Sequence, residues 1–309
     1  MELFASIILL KQKEFLLRVL IIYSDYGRLG NRLHTHVNAL AWCIENNFNL
    51  INLSFSNYAD LFQTYPKHKS GNFHQYKQFI FKILSYRSVK SFLRKLLLSD
   101  KWLRRLSWLI HQITPSNSEI LQETDLNSEI KQKKLNLIKH WDIRCSNSLQ
   151  IHQKKIRAYL RPSQSLEISA DKIINGLKLK YDCIVGVHAR RGDYATYLEG
   201  KHYHSWESYL HWAHQTKHVL EKSGKQNVGI VICSDEEPPN SIPKSQSVYF
   251  SLSKELMVDI HLLSLCDYNL GPPSSFGTWI SWFGKVPRLV VHNNTEITSL
   301  EQFEVCTSC

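Results

Sequence analysis

Apolar positions along this chain fall into two textures: short unbroken runs of strand length, and longer stretches where they recur every three to four residues. Leu16–Ser24, LLRVLIIYS, is a run of the first kind and predicts a strand buried on both faces, as in a parallel sheet. A loop, DYGRLGNRL, follows it. Then come a helical stretch, HTHVNALAWCIENN, and a second short strand, FNLINLSF. This β–loop–α–β opening is the unit of a doubly wound fold. From residue 171 the same rhythm returns: DKIINGLKLK helical, CIVGVHARRGDY strand then loop, SWESYLHWAHQTKHVLEKSG a long helix, and NVGIVICSDEEPP strand then loop. SVYFSL predicts a short strand, KELMVDIHLLSLC a helix, YNLGPPSSFG a strand with a turn, TWISWFG a helix start, and PRLVVHNN a closing strand. No segment repeats at a fixed period, which excludes solenoids and propellers.

These patterns predict an α/β protein. Its parts are an N-terminal extension over 1–17, a Rossmann-like domain over 18–170 with a basic helical insertion, a second Rossmann-like domain over 171–296, and a tail over 297–309. A chain of 309 residues suits two domains and can bury about three quarters of its unfolded surface without staples. The seven cysteines are odd in number. Cys43, Cys183, Cys233 and Cys266 lie in apolar runs and predict small buried hydrophobes in a reducing compartment. Cys306 and Cys309 form a lone CxxC, weak evidence for metal or redox work. Leu3–Leu10 has no basic residues before it and stops at Lys11. It is too short for a membrane span and has no cleavage site, so the expectation is a cytoplasmic protein, in contact with a membrane at its surface if at all.

Thirty-eight Lys and Arg against 27 Asp and Glu leave a net charge of +11, which favours anionic partners without choosing among them. Between Lys77 and Leu106 nine basic residues face one acid, Asp100, with Phe79, Ile83, Phe92, Leu96, Trp102 and Leu106 at helical spacings. The segment fits a basic amphipathic surface for an anionic membrane, or a helix pair with a solvated basic face.

Candidate chemistry sits where strands give way to loops, since parallel sheets bind ligands at their carboxyl ends. Asp25–Asn31 carries Gly27 and Gly30 just before a helix, which fits either close approach to an anion or a tight turn. His188-Ala189-Arg190-Arg191-Gly192-Asp193 follows a buried strand. Adjacent arginines there are costly to bury without an anion, and a guanidinium fork matches a diphosphate; an internal Arg–Asp pair is the alternative. Gly271–Gly277 offers Ser274 and Ser275 at a helix start, as phosphate ligands or as caps.

Taken in order, GRLGN, VGVHARRGDY, CSDEE and DIHLLSLCDYNLGPPSSFGTW resemble the successive motifs of the α-1,2-fucosyltransferase family over residues 18–60 and 180–292. The α-1,6 and protein O-fucosyltransferases share the HxR element and the D-x-x-x-L-S…SS element. The chain departs in having Pro-Pro before the two serines, Gly277-Thr278-Trp279 where the family carries a paired aromatic, and Arg32 where Gln is common.

The resemblance implies a GT-B-like fold, two Rossmann-like domains facing across a cleft, and an inverting transfer of fucose from GDP-fucose to a glycan or lipid-linked glycan hydroxyl. It places Arg190 on the donor diphosphate, with Arg191 beside it. His188 and Asp193 belong to the same loop. Ser275 and Phe276 fall where relatives contact phosphate or base, with Ser274 counted beside them as donor-binding, Asp259 on the guanine side, and Gly30 and Asn31 over the donor from the first domain. Glu199, ahead of His202 and His204, is the expected base, at a spacing similar to that in the α-1,6 group. No Asp-x-Asp occurs in the chain, so no cofactor or divalent metal is expected and arginine takes the cation's place. The alternatives are a transferase using another GDP-sugar, an inactive relative kept as a binding module, and a basic nucleic-acid- or membrane-binding protein without catalysis. No nucleic-acid-binding module is present, and no nucleic-acid partner is expected.

Overall fold

The structure, a computed structural model, describes residues 18–23, 27–63, 110–113, 120–130, 135–242, 246–251, 253 and 255–309. The basic stretch between Lys77 and Leu106, residues 1–17, and Asp25 and Tyr26 of the first loop lie outside the described residues. Among the described residues no helix is long and apolar enough to cross a membrane.

The protein is α/β with parallel sheets. The first sheet has four strands: β1 (Val19–Ile22), β2 (Asn49–Asn52), β3 (Ile110–Ile113) and β5 (Leu135–Ile138), in the order β2-β1-β5-β3 and all parallel. β4 (Leu121–Gln122) and β6 (Ile143–Arg144) form a separate two-residue parallel pair. Helix α1 (Leu29–Glu45) crosses from β1 to β2, and α2 (Glu123–Glu129) follows β4. α3 (Ser146–Tyr159) lies along α1, and α4 (Gln164–Lys178) leads to the second sheet.

That second sheet holds β7 (Cys183–Ala189), β8 (Val228–Ser234), β9 (Val248–Phe250), β10 (Tyr268–Gly271) and β11 (Arg288–Val290), ordered β11-β10-β7-β8-β9 and again all parallel. α5 (Trp206–Lys222), α6 (Leu256–Ser264) and α7 (Ser275–Gly284) are its crossovers. Every residue of β7 is buried, the reason CIVGVHA reads as an unbroken apolar run. β7 has β8 on one side and β10 on the other. The chain therefore reverses direction across the sheet beside β7, which is where open α/β sheets leave a crevice.

The two sheets are not insulated from each other. One apolar cluster takes Leu33 and Val37 from α1, Ile156 from α3, Ile174 from α4, Leu263 from α6, and Trp279 and Trp282 from α7. Arg157 of α3 caps the junction, donating from Nε (2.9 Å) and Nη2 (2.6 Å) to the Trp282 carbonyl with its guanidinium 4.6 Å above the indole. The segment predicted as a tail is packed, with Ile297, Phe303 and Cys309 buried. Phe303 meets the Tyr268 ring edge-on, and the Glu304 backbone bridges that of Arg288. Apolar side chains at 297 and 303 are what hold it there.

Asn38 on α1 ties three places together. Its Nδ2 donates to the His34 carbonyl at 2.9 Å and to the Cys309 carbonyl, and its Oδ1 accepts from the Cys145 N–H at 2.8 Å. At 1% exposure no water replaces these bonds. Asn38→Leu strands a buried N–H and a buried C=O at about 1–3 kcal/mol each, so urea unfolding is expected to show a loss near 3 kcal/mol.

Candidate functional site

A cavity of about 420 Å³ opens at the carboxyl ends of β7, β8 and β9. His188 and Arg190 come from the end of β7, Cys233 to Pro238 from the end of β8, Ser251 and Ser253 from beyond β9, Leu256 and Asp259 from α6, and Phe276 from α7. The His188 ring stacks on Phe276 at 4.3 Å, and together they form one wall.

Arg190 reaches this cavity because its loop is held from behind. Nε donates to Asp193 Oδ1 at 2.8 Å, Nη2 lies 2.7 Å from the same oxygen, and Nε is 3.6 Å from Asp235 Oδ2. The guanidinium lies 5.6 Å over the Tyr194 ring, whose hydroxyl donates to the Pro273 carbonyl at 2.7 Å. Asp235 Oδ1 accepts from the Arg191 N–H at 2.8 Å and the Gly192 N–H at 3.3 Å. Asp235, which follows β8 and lines the cavity, is thus the anchor of the arginine loop.

Arg191 points elsewhere. Nε donates to Glu236 at 2.9 Å, Nη1 to the His204 carbonyl and Nη2 to the Tyr203 hydroxyl. Its guanidinium packs over Tyr203 and Trp206 at 4.5 and 5.3 Å. These partners use its fork internally, and it does not line the cavity. Asp193 lies outside the cavity too. It bridges Arg190 to Arg28 of the first loop at 3.2 Å.

Four expected site residues therefore share the cavity: His188, Arg190, Asp259 and Phe276. Ser274 is the cap of α7, its Oγ accepting from the Gly277 N–H at 3.0 Å, with His188 Nδ1 3.5 Å away. α1 begins at Leu29, so Gly30 lies within its first turn rather than in the loop before it. A Cβ there would come within 2.5 Å of Ser275 Oγ, so Gly30 and Ser275 together serve close helix packing. His34 strengthens that contact, its Nε2 donating to the Ser275 carbonyl at 2.9 Å. Asn31 packs against Gly27, whose φ of +62° turns the chain into α1.

Glu199 is exposed and outside the cavity. It sits in a run of three left-handed residues, Leu198 (φ +48°), Glu199 (φ +56°) and Gly200 (φ +74°). Two non-glycine residues in that conformation store strain of order 1–3 kcal/mol each, a feature that clusters at functional loops. His204 is buried with its ring edge-on to Trp212 at 4.9 Å. Burial holds it below its usual range, as it does His202.

The cavity's titration is polarised. Burial pushes Asp259 up to about 6, against hydrogen bonds from Ser251 Oγ (2.6 Å) and the Cys233 thiol. His188 is held well below its ordinary value by burial, then by Arg288 and Arg190, and is neutral. Ser251 and Cys233 were not singled out as site residues. Each lies at a strand end, and only the sheet order brings them to Asp259.

Among solved structures, a mutant of FUT1 from Arabidopsis thaliana in complex with GDP superposes with a TM-score of 0.58 at 12% identity, over 98% of this chain and 77% of that one. The fucosyltransferase NodZ from Bradyrhizobium superposes with a TM-score of 0.50 at 12% identity, over 90% of this chain and 96% of that one. Both likenesses are of fold. No curated protein matches the sequence. The profile of glycosyl transferase family 11 matches residues 31–300, which takes in the second sheet, the first sheet apart from β1, and every residue of the cavity. The chain belongs to glycosyl transferase family 11 and is a glycosyltransferase.

Proposed function

We propose that this protein transfers fucose from GDP-fucose to a glycan hydroxyl, with inversion and without a divalent metal. On this reading the two sheets are the halves of a GT-B-like pair, divided near residue 170, and the acceptor enters between them. The observation that carries the reading is Arg190, fixed at the wall of a strand-end cavity that also presents a buried carboxylate, Asp259.

The two ends of the cavity suit the two ends of GDP. Guanine offers an N–H and an amino group side by side, and the Asp259 carboxylate is an acceptor-only partner for such an edge. His188 and Phe276 supply a flat stacked wall. Arg190 stands where the diphosphate would lie, and departure of GDP places growing negative charge beside a cation already oriented by Asp193 and Asp235. A charge fixed in advance stabilises the transition state without reorganisation. Glu199, on its strained turn at the solvent side, is the base we assign to the acceptor hydroxyl.

The FUT1 structure was solved with GDP, which supports a nucleotide in the corresponding fold. A cytoplasmic site of action, with contact to an anionic membrane through the Lys77–Leu106 segment, remains part of the proposal.

Calorimetry with GDP in the presence of EDTA is expected to show one site per chain. Absence of GDP binding overturns the donor assignment, and binding that disappears on adding EDTA overturns the metal-free assignment alone. Arg190→Ala should cut turnover with GDP-fucose about a hundredfold or more with a smaller loss of GDP affinity, because the lost interaction strengthens in the transition state. Arg190→Lys should recover little, since a point charge lacks the fork.

Asp259 gives a pH test. Its folded pKa, about 6, exceeds the unfolded 3.8, so the stability it permits is complete below pH 4 and is lost as pH rises through 6. At about 1.4 kcal/mol per unit, Asp259→Asn should stabilise the protein by up to roughly 3 kcal/mol at pH 7.5 and by nothing at pH 4. The same variant should bind GDP more weakly, because an amide turns one acceptor into a donor. Urea titrations at both pH values, with GDP calorimetry at the higher, check the pair of effects.

A further inference from the structure

Arg288 opens β11 and is 6% exposed. A guanidinium removed from water is costly unless an anion answers it. Among the described residues no carboxylate lies within ion-pair distance of Arg288, and its side chain makes a single hydrogen bond, from Nη2 to the Pro272 carbonyl at 2.7 Å. The group is nonetheless firmly placed. A Cβ built on Gly277 would collide with its Nη2, Cζ and Nε, so the guanidinium lies against the first turn of α7. Gly277 is also a point of departure from the family's paired aromatic, and the space it opens is the space Arg288 fills.

That turn borders the cavity at Phe276, on the side that the donor reading gives to the phosphates. Arg288 and Arg190 together depress His188, and both act on Tyr194, the ring beneath Arg190. Phe276, Gly277's neighbour, is the other half of the His188 wall. The positive charge therefore stands directly behind the Pro272–Gly277 turn. It adds to the field of the α7 N-terminus, which favours an anion in its own right.

We propose that Arg288 is a positioning residue of the donor site, a second buried cation whose missing counter-charge is the diphosphate of the nucleotide donor. The inference rests on the donor reading above and deepens it. Arg288 holds the turn through the Pro272 carbonyl and acts on the phosphates through its charge, from behind the wall. A residue that only braces the turn would affect every ligand of the cavity alike. A residue that answers the diphosphate discriminates between GDP and guanosine.

The test is calorimetry, by competition where affinity is low, with GDP and with guanosine. The proteins are the full chain, Arg288→Met, Arg288→Lys and Gly277→Ala. Arg288→Met is expected to weaken GDP tenfold or more and guanosine less than twofold. Arg288→Lys should fall between parent and Met. Gly277→Ala should displace the guanidinium and reproduce the GDP-selective loss, and the double variant Gly277→Ala/Arg288→Met should lose no more than Arg288→Met alone. Equal losses for GDP and guanosine, or an undiminished GDP affinity, overturn the proposal while leaving the donor site in place. If Arg288→Met does not fold, the GDP-to-guanosine ratio in the Lys and Gly277→Ala variants decides by the same criterion. A parent protein that binds neither ligand overturns the donor reading and this inference with it.

Discussion

The site depends on one carboxylate at the end of β8. Asp235 takes two backbone N–H groups of the loop after β7 on one oxygen and faces Arg190 with the other. Hydrogen bonds to an ionised acceptor are worth about 1.5–3 kcal/mol each when shielded, and less here because the Asp235 side chain is 30% exposed. Geometry matters more than this energy. By fixing the backbone at 191 and 192, Asp235 decides which way both arginine side chains leave the strand, and so which of them meets the cavity.

Residues that follow each other out of a strand project to opposite sides. Arg190 goes to the cavity, with Asp193 as its partner, and Arg191 goes to an aromatic and acidic cage of Tyr203, Trp206 and Glu236. An Arg-Arg pair reads as a doubled phosphate clamp in sequence, yet the pleat makes it one cavity-facing cation and one bracket. The bracket has a use of its own. It pulls the 203–206 segment against the strand end, and the strained turn bearing Glu199 is suspended between the two anchored arginine residues and that cage.

The second sheet was legible because its central strands are buried on both faces. CIVGVHA and VGIVICS are continuous apolar runs with loops at their carboxyl ends, and the segment of His188 and Arg190 follows from position, whereas Asp259, inside α6, came only from the family resemblance. The first sheet was legible only in β1 and β2. IHQI and LNLI are four residues long, each with polar positions, and nothing local marks them as strands. Where the sequence left ligand and structure open, each of these residues has a structural partner. Ser274 is a cap, while Gly30 and Ser275 are the close approach of α1 to α7. Arg288 carried no sequence signal because its partners, Gly277 and Pro272, lie 11 and 16 residues away, in the first turn of α7 and before it.

The net charge of +11 explains little of this. Charges on the surface are hydrated and screened, whereas those that shape a cavity are few and buried. Here they are arranged by sign. Asp259 is buried with only neutral donors, Ser251 and Cys233, and its raised pKa shows that those donors do not offset its burial. Arg288 is buried with only a neutral acceptor. Each is a cost to the folded chain, and neither is relieved by the other. A core under selection for stability alone would pair them or replace them with apolar groups. Kept apart, they leave a carboxylate on the cavity lining and a guanidinium behind its wall. A nucleoside diphosphate, with donors on its base and charge on its phosphates, carries the opposite polarity along its length. Its binding would satisfy both residues at once.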